Sequence, residues 1–456
     1  MAAFFWPGIA MYDTVAQYGQ VLSGDVDDWH PPVMVRVWQL LHPLGPTTTP
    51  MFVLQVALYA VGFALIVSAL VGRGRWRAGL AVCALALSPL LLGWQLVVLK
   101  DAQMVGALVA AIGIVACYRI AGRSVPLTAA TIVMLLFIYS TLLRSNALFA
   151  TIPLAVLLTP RPSSVFARAG IALAAMIGVV AVTPLLNQDL FGAAPSGIAK
   201  SQPLFDLAAI AAATRGSAEP FTGAQSEELS GRHCVKAFFW DPIADPTACG
   251  PITGQANALP ERTLYWDLTF AAAAHPIAYA KHRLEHWNST ERWLVQPGLI
   301  EAAPPADAEP NNVGLTSPQN VVVVPAWHRL GATEAATPVG WPIVWTVLAA
   351  LLLPAAWRRR EDAYGRLALA LLVSAVTLEA SFLVVSISSD LRYHLWPMAA
   401  SGLALILLSD ELSYLGRWRM VTAAVLLLVI GSGVYSRMTL PSAPDSYQGM
   451  IHGVPG

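Results

Sequence analysis

Residues 13–32 read DTVAQYGQVLSGDVDDWHPP, with four carboxylates (Asp13, Asp25, Asp27, Asp28) ahead of Trp29, His30 and the Pro31–Pro32 pair. Most of the chain beyond this stretch is a series of apolar segments about as long as a bilayer is thick. Acids beside so much apolar sequence are costly unless they sit in water at the membrane edge. Ionisable groups held at such an edge point to function; the plain alternative is a solvated loop kept out of lipid by its charge. After Asp13, the run TVAQYGQVLSG suits a helix with Val15, Tyr18 and Leu22 toward lipid and Gln17 and Gln20 toward water, an interfacial helix launched from a carboxylate. The proline pair resists helix and folds the chain back.

Outward from that stretch, 456 residues are 56% hydrophobic and 12% charged, with a mean hydropathy of +0.59. Soluble domains carry about 25% charged residues, so the chain reads as an all-α polytopic membrane protein with about 10–11 spans. Its 27 basic and 27 acidic residues balance, and nothing points to nucleic acid. No basic stretch of a signal peptide precedes Phe4. The apolar run 4–10, broken by Pro7-Gly8, is too short to span: it reads either as the end of a first span or as a helix end dipping into the surface. Spans read as 51–71, 78–99, 102–120, 126–143, a short 147–158, 169–186, 339–357, 367–388, 395–408 and 420–435. This divides the chain into an N-terminal membrane region (1–186, its first outer loop at 11–50), a polar insert (187–338) and a C-terminal membrane region (339–456).

Alternate connections carry Arg73, Arg75 and Arg77; Arg119 and Arg123; Arg161 and Arg168; Arg358, Arg359, Arg360 and Arg366; Arg417 and Arg419, against Glu361, Asp362, Asp410 and Glu411 alone as acids. The positive-inside bias makes those connections cytoplasmic. The acidic loop, Lys100-Asp101, Arg144-Ser145-Asn146, the insert and residues 390–394 then face outward, as do all the histidines. In the insert, 203–214 and 262–295 have helical periodicity, and Tyr265, Trp266, Tyr279, Trp287 and Trp293 suit helices lying along the interface. Cys234 and Cys249 can pair if the insert meets an oxidising compartment. No internal repeat of the kind that builds two-halved transporters is present in the sequence.

The apolar start, an aspartate opening an interfacial helix, and the pattern SGD…W…PP resemble the first outer loop of the C-type glycosyltransferases. These polytopic enzymes use lipid-phosphate sugars and include the protein O-mannosyltransferases and the lipid A aminoarabinose transferases. The PG ahead of YDT is similar to a bacterial branch of that superfamily. The sharp likeness covers 7–32, and the layout of spans extends it over most of the chain. It departs at Thr14, where an acid is common, and at His30, where a basic residue commonly precedes the prolines.

The resemblance implies a general base at Asp13, and an inverting transfer from a polyprenyl-phosphate sugar to an acceptor hydroxyl on the outer face of the plasma (inner) membrane. The acceptor would be a glycan, lipid or protein. Lys100 would meet the lipid phosphate and Asp101 join the acceptor site as a second catalytic carboxylate, although snorkelling and helix capping are the bland roles for such a pair. Arg144 with Asn146, and the Arg392-Tyr393 pair, are further candidates for the phosphate, which an arginine fork suits; His30 and Asp28 complete the substrate-binding set. No cofactor is required on this reading, although Asp27 or Asp28 could hold a divalent metal. His282 and His286 have metal-pair spacing without a third ligand fixed by sequence, so a polar helix face is the better reading. Glu379 reads as intramembrane and non-catalytic. The rival classes are a lipid-linked-sugar flippase or solute transporter, and a non-catalytic assembly subunit.

Overall fold

The computed structural model describes residues 2–159, 164–216, 218–410 and 416–453; Arg161 and Glu411 of the connections above lie outside them. The chain is all-α, and among the described residues only isolated β-bridges occur. Among the described residues, five helices are long and apolar enough to cross a bilayer, which makes this a multi-pass membrane protein.

In chain order, α1 (Tyr12–Ser23) and α2 (Val33–Leu41) form the first loop, and α3 (Thr49–Val71) is the first long span. The stretch expected as one span over 78–99 is instead two helices, α4 (Trp76–Ala86) and α5 (Pro89–Gln95), bent by 58°. The reason is Ser88-Pro89: proline lacks the amide and crowds the preceding turn, while Ser88 caps the new helix by accepting from Leu91 N at 3.3 Å. Then come α6 (Lys100–Ile120), α7 (Leu127–Leu143), the short α8 (Leu148–Leu158) and α9 (Val165–Leu185). The insert folds as α10 (Ser201–Thr214), α11 (Gly223–Gly231), α12 (Asp241–Ala244), α13 (Gly250–Asn257), α14 (Glu261–Ala274), α15 (Pro276–Thr290) and α16 (Val323–Ala336). The chain returns through α17 (Pro342–Arg358), α18 (Ala363–Val385), α19 (Leu395–Leu407), α20 (Arg417–Thr439) and the short α21 (Tyr447–His452).

Residues 2–10 make no spanning helix. After a single 3-10 turn they run extended beside residues 96–99, with Ile9 N donating to Leu96 O at 3.2 Å and Val98 N to Ile9 O at 2.9 Å. Non-helical backbone this deep survives only if its polar groups are satisfied internally. Gln55 on α3 does much of this, donating to Gln95 O (2.7 Å) and Val97 O (2.8 Å), while Gln95 donates to Gln55 O and Ala102 O, and Gln103 to Met51 O. Three buried glutamines thus join α3, α5 and α6. Lower down, α3 and α6 touch backbone to backbone at Gly62 and Gly113: a Cβ on Gly113 would come within 2.5 Å of Gly62 O. Small residues permit such approaches between membrane helices.

Two readings of α1 are corrected. Tyr18 is buried against Trp38, ring centroids 5.1 Å apart, rather than facing lipid, and Gln17 is fully buried rather than wet. Of the three residues expected toward lipid, Tyr18 packs on α2 while Leu22 is exposed. In the insert, α10 is buried, and its Leu204, Phe205 and Ile210 form a core with Leu229, Ile252 and Leu264. On α14, Trp266 and Phe270 are exposed. Cys234 and Cys249 are joined as a disulfide beside α13.

Lys100 owes its position to the α3–α6 crossing. Gly113→Leu is expected to force the helices apart and cost about 1–3 kcal/mol. Gly178→Leu, on a lipid-facing helix with nothing within 4 Å, is expected to be neutral. Thermal unfolding in detergent checks both; equal stability of the two variants would contradict the packing described.

Candidate functional site

Thr14 brings the first loop to α6. Its hydroxyl accepts from Met11 N at 3.1 Å and donates to Val98 O at 2.5 Å, pinning the start of α1 to the extended segment that leads into Lys100. Asp13, one residue earlier, therefore lies against the first residues of α6. Its Oδ2 is 3.1 Å from Lys100 Nζ and 3.2 Å from Arg392 Nη1. His30 joins from the DWHPP turn: Lys100 Nζ donates to His30 Nδ1 at 2.8 Å, which leaves the imidazole proton on Nε2, 4.0 Å from Asp13.

A second set adjoins the first. Asp101 pairs with Arg144, whose Nε donates to Asn146 Oδ1 at 3.1 Å. The Arg144 guanidinium stacks 4.0 Å from the centroid of Tyr393, and Arg392 lies over the same ring at 5.5 Å. One aromatic ring thus spaces two guanidiniums, a favourable cation–π arrangement. Arg392 also donates twice to Asp390 Oδ2, at 3.2 and 2.9 Å. Three carboxylates (Asp13, Asp101, Asp390) face three cations (Lys100, Arg144, Arg392), so the cluster is neutral as it stands.

Of the residues read from sequence, the structure brings together Asp13, His30, Lys100, Asp101, Arg144, Asn146, Arg392 and Tyr393. Asp28 is not among them. Its Oδ1 accepts from the backbone and hydroxyl of Ser196, both at 2.6 Å, so it fastens the loop rather than lining the cluster. The polar helix face read for His282 and His286 is corrected: both are buried, one on Asp206 Oδ1 at 3.0 Å and the other on Ala237 O at 2.7 Å.

Residues outside that set hold the arginine-bearing turn. Arg283 donates to the carbonyls of Phe382, Leu383 and Ser386, closing the C-terminus of α18, and Asp206 accepts from it at 3.1 Å. Arg292 donates to Ser389 O at 3.0 Å. Cations satisfying the last carbonyls of a helix suit its dipole. Arg283 was visible in the sequence only as a charge in an otherwise helical pattern; the carbonyls it meets are about a hundred residues away.

Electrostatics sharpen this arrangement. Burial pushes the Asp13 carboxyl up, but Arg392 and Lys100 outweigh it and hold the group well below the usual range. Burial, and then the neighbouring ammonium, push His30 down to about 3, so it is neutral at pH 7. Glu301, in the loop beside Asp390, is pushed up to about 7 by burial and by that carboxylate. Several buried polar atoms here lack a hydrogen-bond partner: both amide atoms of Gln17 (one turn after Asp13), His30 Nε2 and Asp101 Oδ2. Such orphans are rare unless something else satisfies them.

No family model matches the chain, and no curated protein does. Among solved structures, it is similar to the archaeal oligosaccharyltransferase AglB from Archaeoglobus fulgidus, in complex with an inhibitory peptide and a dolichol-phosphate, at 13% identity and a TM-score of 0.36. The match covers 95% of this chain, which spans about half (52%) of that one. A likeness of that size assigns no activity.

A carboxylate whose folded pKa is depressed adds stability that is fully present above its unfolded value, about 3.9, and is lost as pH falls through the folded value. The difference in unfolding temperature between the protein and its Asp13→Asn variant is therefore expected to stay constant from about pH 7 to 5 and to shrink below about pH 4. A difference that shrinks between pH 7 and 5 would contradict the ion pairs described.

Proposed function

We propose that the chain is an inverting glycosyltransferase that moves a sugar from a polyprenyl phosphate to an acceptor hydroxyl. The observation that carries this reading is one buried carboxylate, Asp13, held by two cations at 3.1 and 3.2 Å where the first loop meets the start of α6. A base and a phosphate site are thereby in one cluster. Lys100, as the first residue of α6, adds its charge to the positive end of that helix.

In this reading Lys100 and Arg392 transfer from Asp13 to the donor phosphate when the lipid arrives. That exchange raises the basicity of Asp13 just when it is needed. The acceptor oxygen attacks the anomeric carbon opposite the phosphate; its proton goes to Asp13, and the bonding pair leaves with the phosphate, whose growing charge the cations meet. Such a base contributes about 10²–10⁴-fold, and preorganised cations add to it. Because lysine and arginine meet the phosphate, the transfer as written calls for no metal there. Gln17 and Asp101 would serve the acceptor or sugar hydroxyls. The bias of lysine and arginine toward the opposite connections supports an outward-facing site at this end of the bundle.

A transporter would need a polar group in mid-membrane, and Glu379 is the candidate for one. That residue is six positions from the end of α18, about 9 Å at the helical rise, and is paired with His394 at 2.8 Å. Against a labelled polyprenyl-phosphate sugar, Arg392→Ala and Lys100→Ala are expected to lower turnover about 10²–10³-fold, more than they lower donor affinity. Arg392→Lys should recover only part of it, having the charge without the fork. Normal turnover in the alanine variants, with activity lost only in Glu379→Gln, would overturn the proposal in favour of transport.

A further inference from the structure

One buried cluster takes no part in that chemistry. Glu291 follows the last turn of α15, Glu379 is on α18, and His394 stands at the start of α19. One ligand atom from each lies within 4.8 Å of the others, and all three residues are at most 1% exposed. His394 Nδ1 contacts both oxygens of Glu379, at 2.9 and 2.8 Å. Thr346 on α17 donates to Glu291 Oε2 at 2.9 Å and so leaves Oε1 free; that oxygen and His394 Nε2 have no hydrogen-bond partner.

Among the described residues, no lysine or arginine forms an ion pair with either glutamate. Arg292, adjacent in sequence, turns away to the carbonyls of Leu299, Ile300 and Ser389. Two carboxylates buried together without a cation are strongly unfavourable. Their cost is relieved by a proton, shared by the carboxyls or held on His394, or by a divalent ion, and the ion would engage all three side chains at once.

We infer that Glu291, Glu379 and His394 form a structural site for a divalent first-row metal ion, Zn²⁺ or Mn²⁺. One imidazole and two carboxylates suit these ions. Ligand atoms around zinc stand about 3–3.5 Å apart, so binding would draw the three side chains together. The ion would join the end of α15 to α17, α18 and α19. It would also fix the 3-10 turn Leu391–His394, which carries Arg392. The inference does not depend on the transferase reading.

Elemental analysis of the full-length protein, purified in detergent from cells supplied with zinc and manganese, tests it. About one ion per chain is expected, falling to below about 0.2 in Glu291→Gln and Glu379→Gln variants that still elute as folded protein. Metal-free wild-type protein, or metal retained in both folded variants, would overturn the site. If the variants do not fold, the wild-type protein from cobalt-supplied cells decides: visible d–d bands of a bound cobalt ion, which Asp13→Asn leaves in place, are expected. Their absence, or their loss in Asp13→Asn, would equally overturn it.

Discussion

A buried carboxylate needs cations, and the placing of those cations organises this molecule. Asp13 is almost out of reach of water, and it stays charged because Lys100 and Arg392 flank it. Neither cation is free to wander. Lys100 is the first residue of a helix pressed against α3, and Arg392 lies in a turn strapped by the insert. Asp101 with Arg144, and Asp390 with Arg392, extend the same balance, so the cluster holds charge of both signs at low cost in a poorly solvated place.

Much of the rest of the structure exists to bring these groups together. The extended pair of segments 8–10 and 96–99 would be intolerable in lipid, yet it lets α1 and α6 begin side by side. Gln55 donates to the carbonyls of Gln95 and Val97 and Thr14 to that of Val98, while Gln95 and Gln103 tie α5 and α6 to α3 beside that irregular backbone. On the other side, Arg283 and Arg292 close the carbonyls at the end of α18. The insert is thereby a buttress for the arginine-bearing turn as well as a cover.

The helical class was legible because runs of apolar residues about twenty long have few other uses, and the long spans begin and end within a few residues of where hydropathy places them. The break at Ser88-Pro89 was not read, although the proline was there to see: the flanking residues are apolar on both sides, so hydropathy runs straight through the bend. Asp13, Lys100, Arg144 and Arg392 stood out as rare charges at span ends. Asp28 stood out equally, and it fastens a loop; charge alone does not separate the two roles. Gln17 and Tyr18 were misplaced because α1 packs against α2 within the first loop, a tertiary contact that helical periodicity does not encode. Arg283 and Asp206 were silent for the same reason.

The central claim is that Asp13 and the donor phosphate compete for the same cations. Binding of a polyprenyl phosphate without sugar to the detergent-solubilised protein tests it most directly, comparing the native chain with Asp13→Asn. Removing the competing carboxylate should tighten binding by about tenfold, which corresponds to about 1.4 kcal/mol. Unchanged or weaker binding in Asp13→Asn would contradict the account.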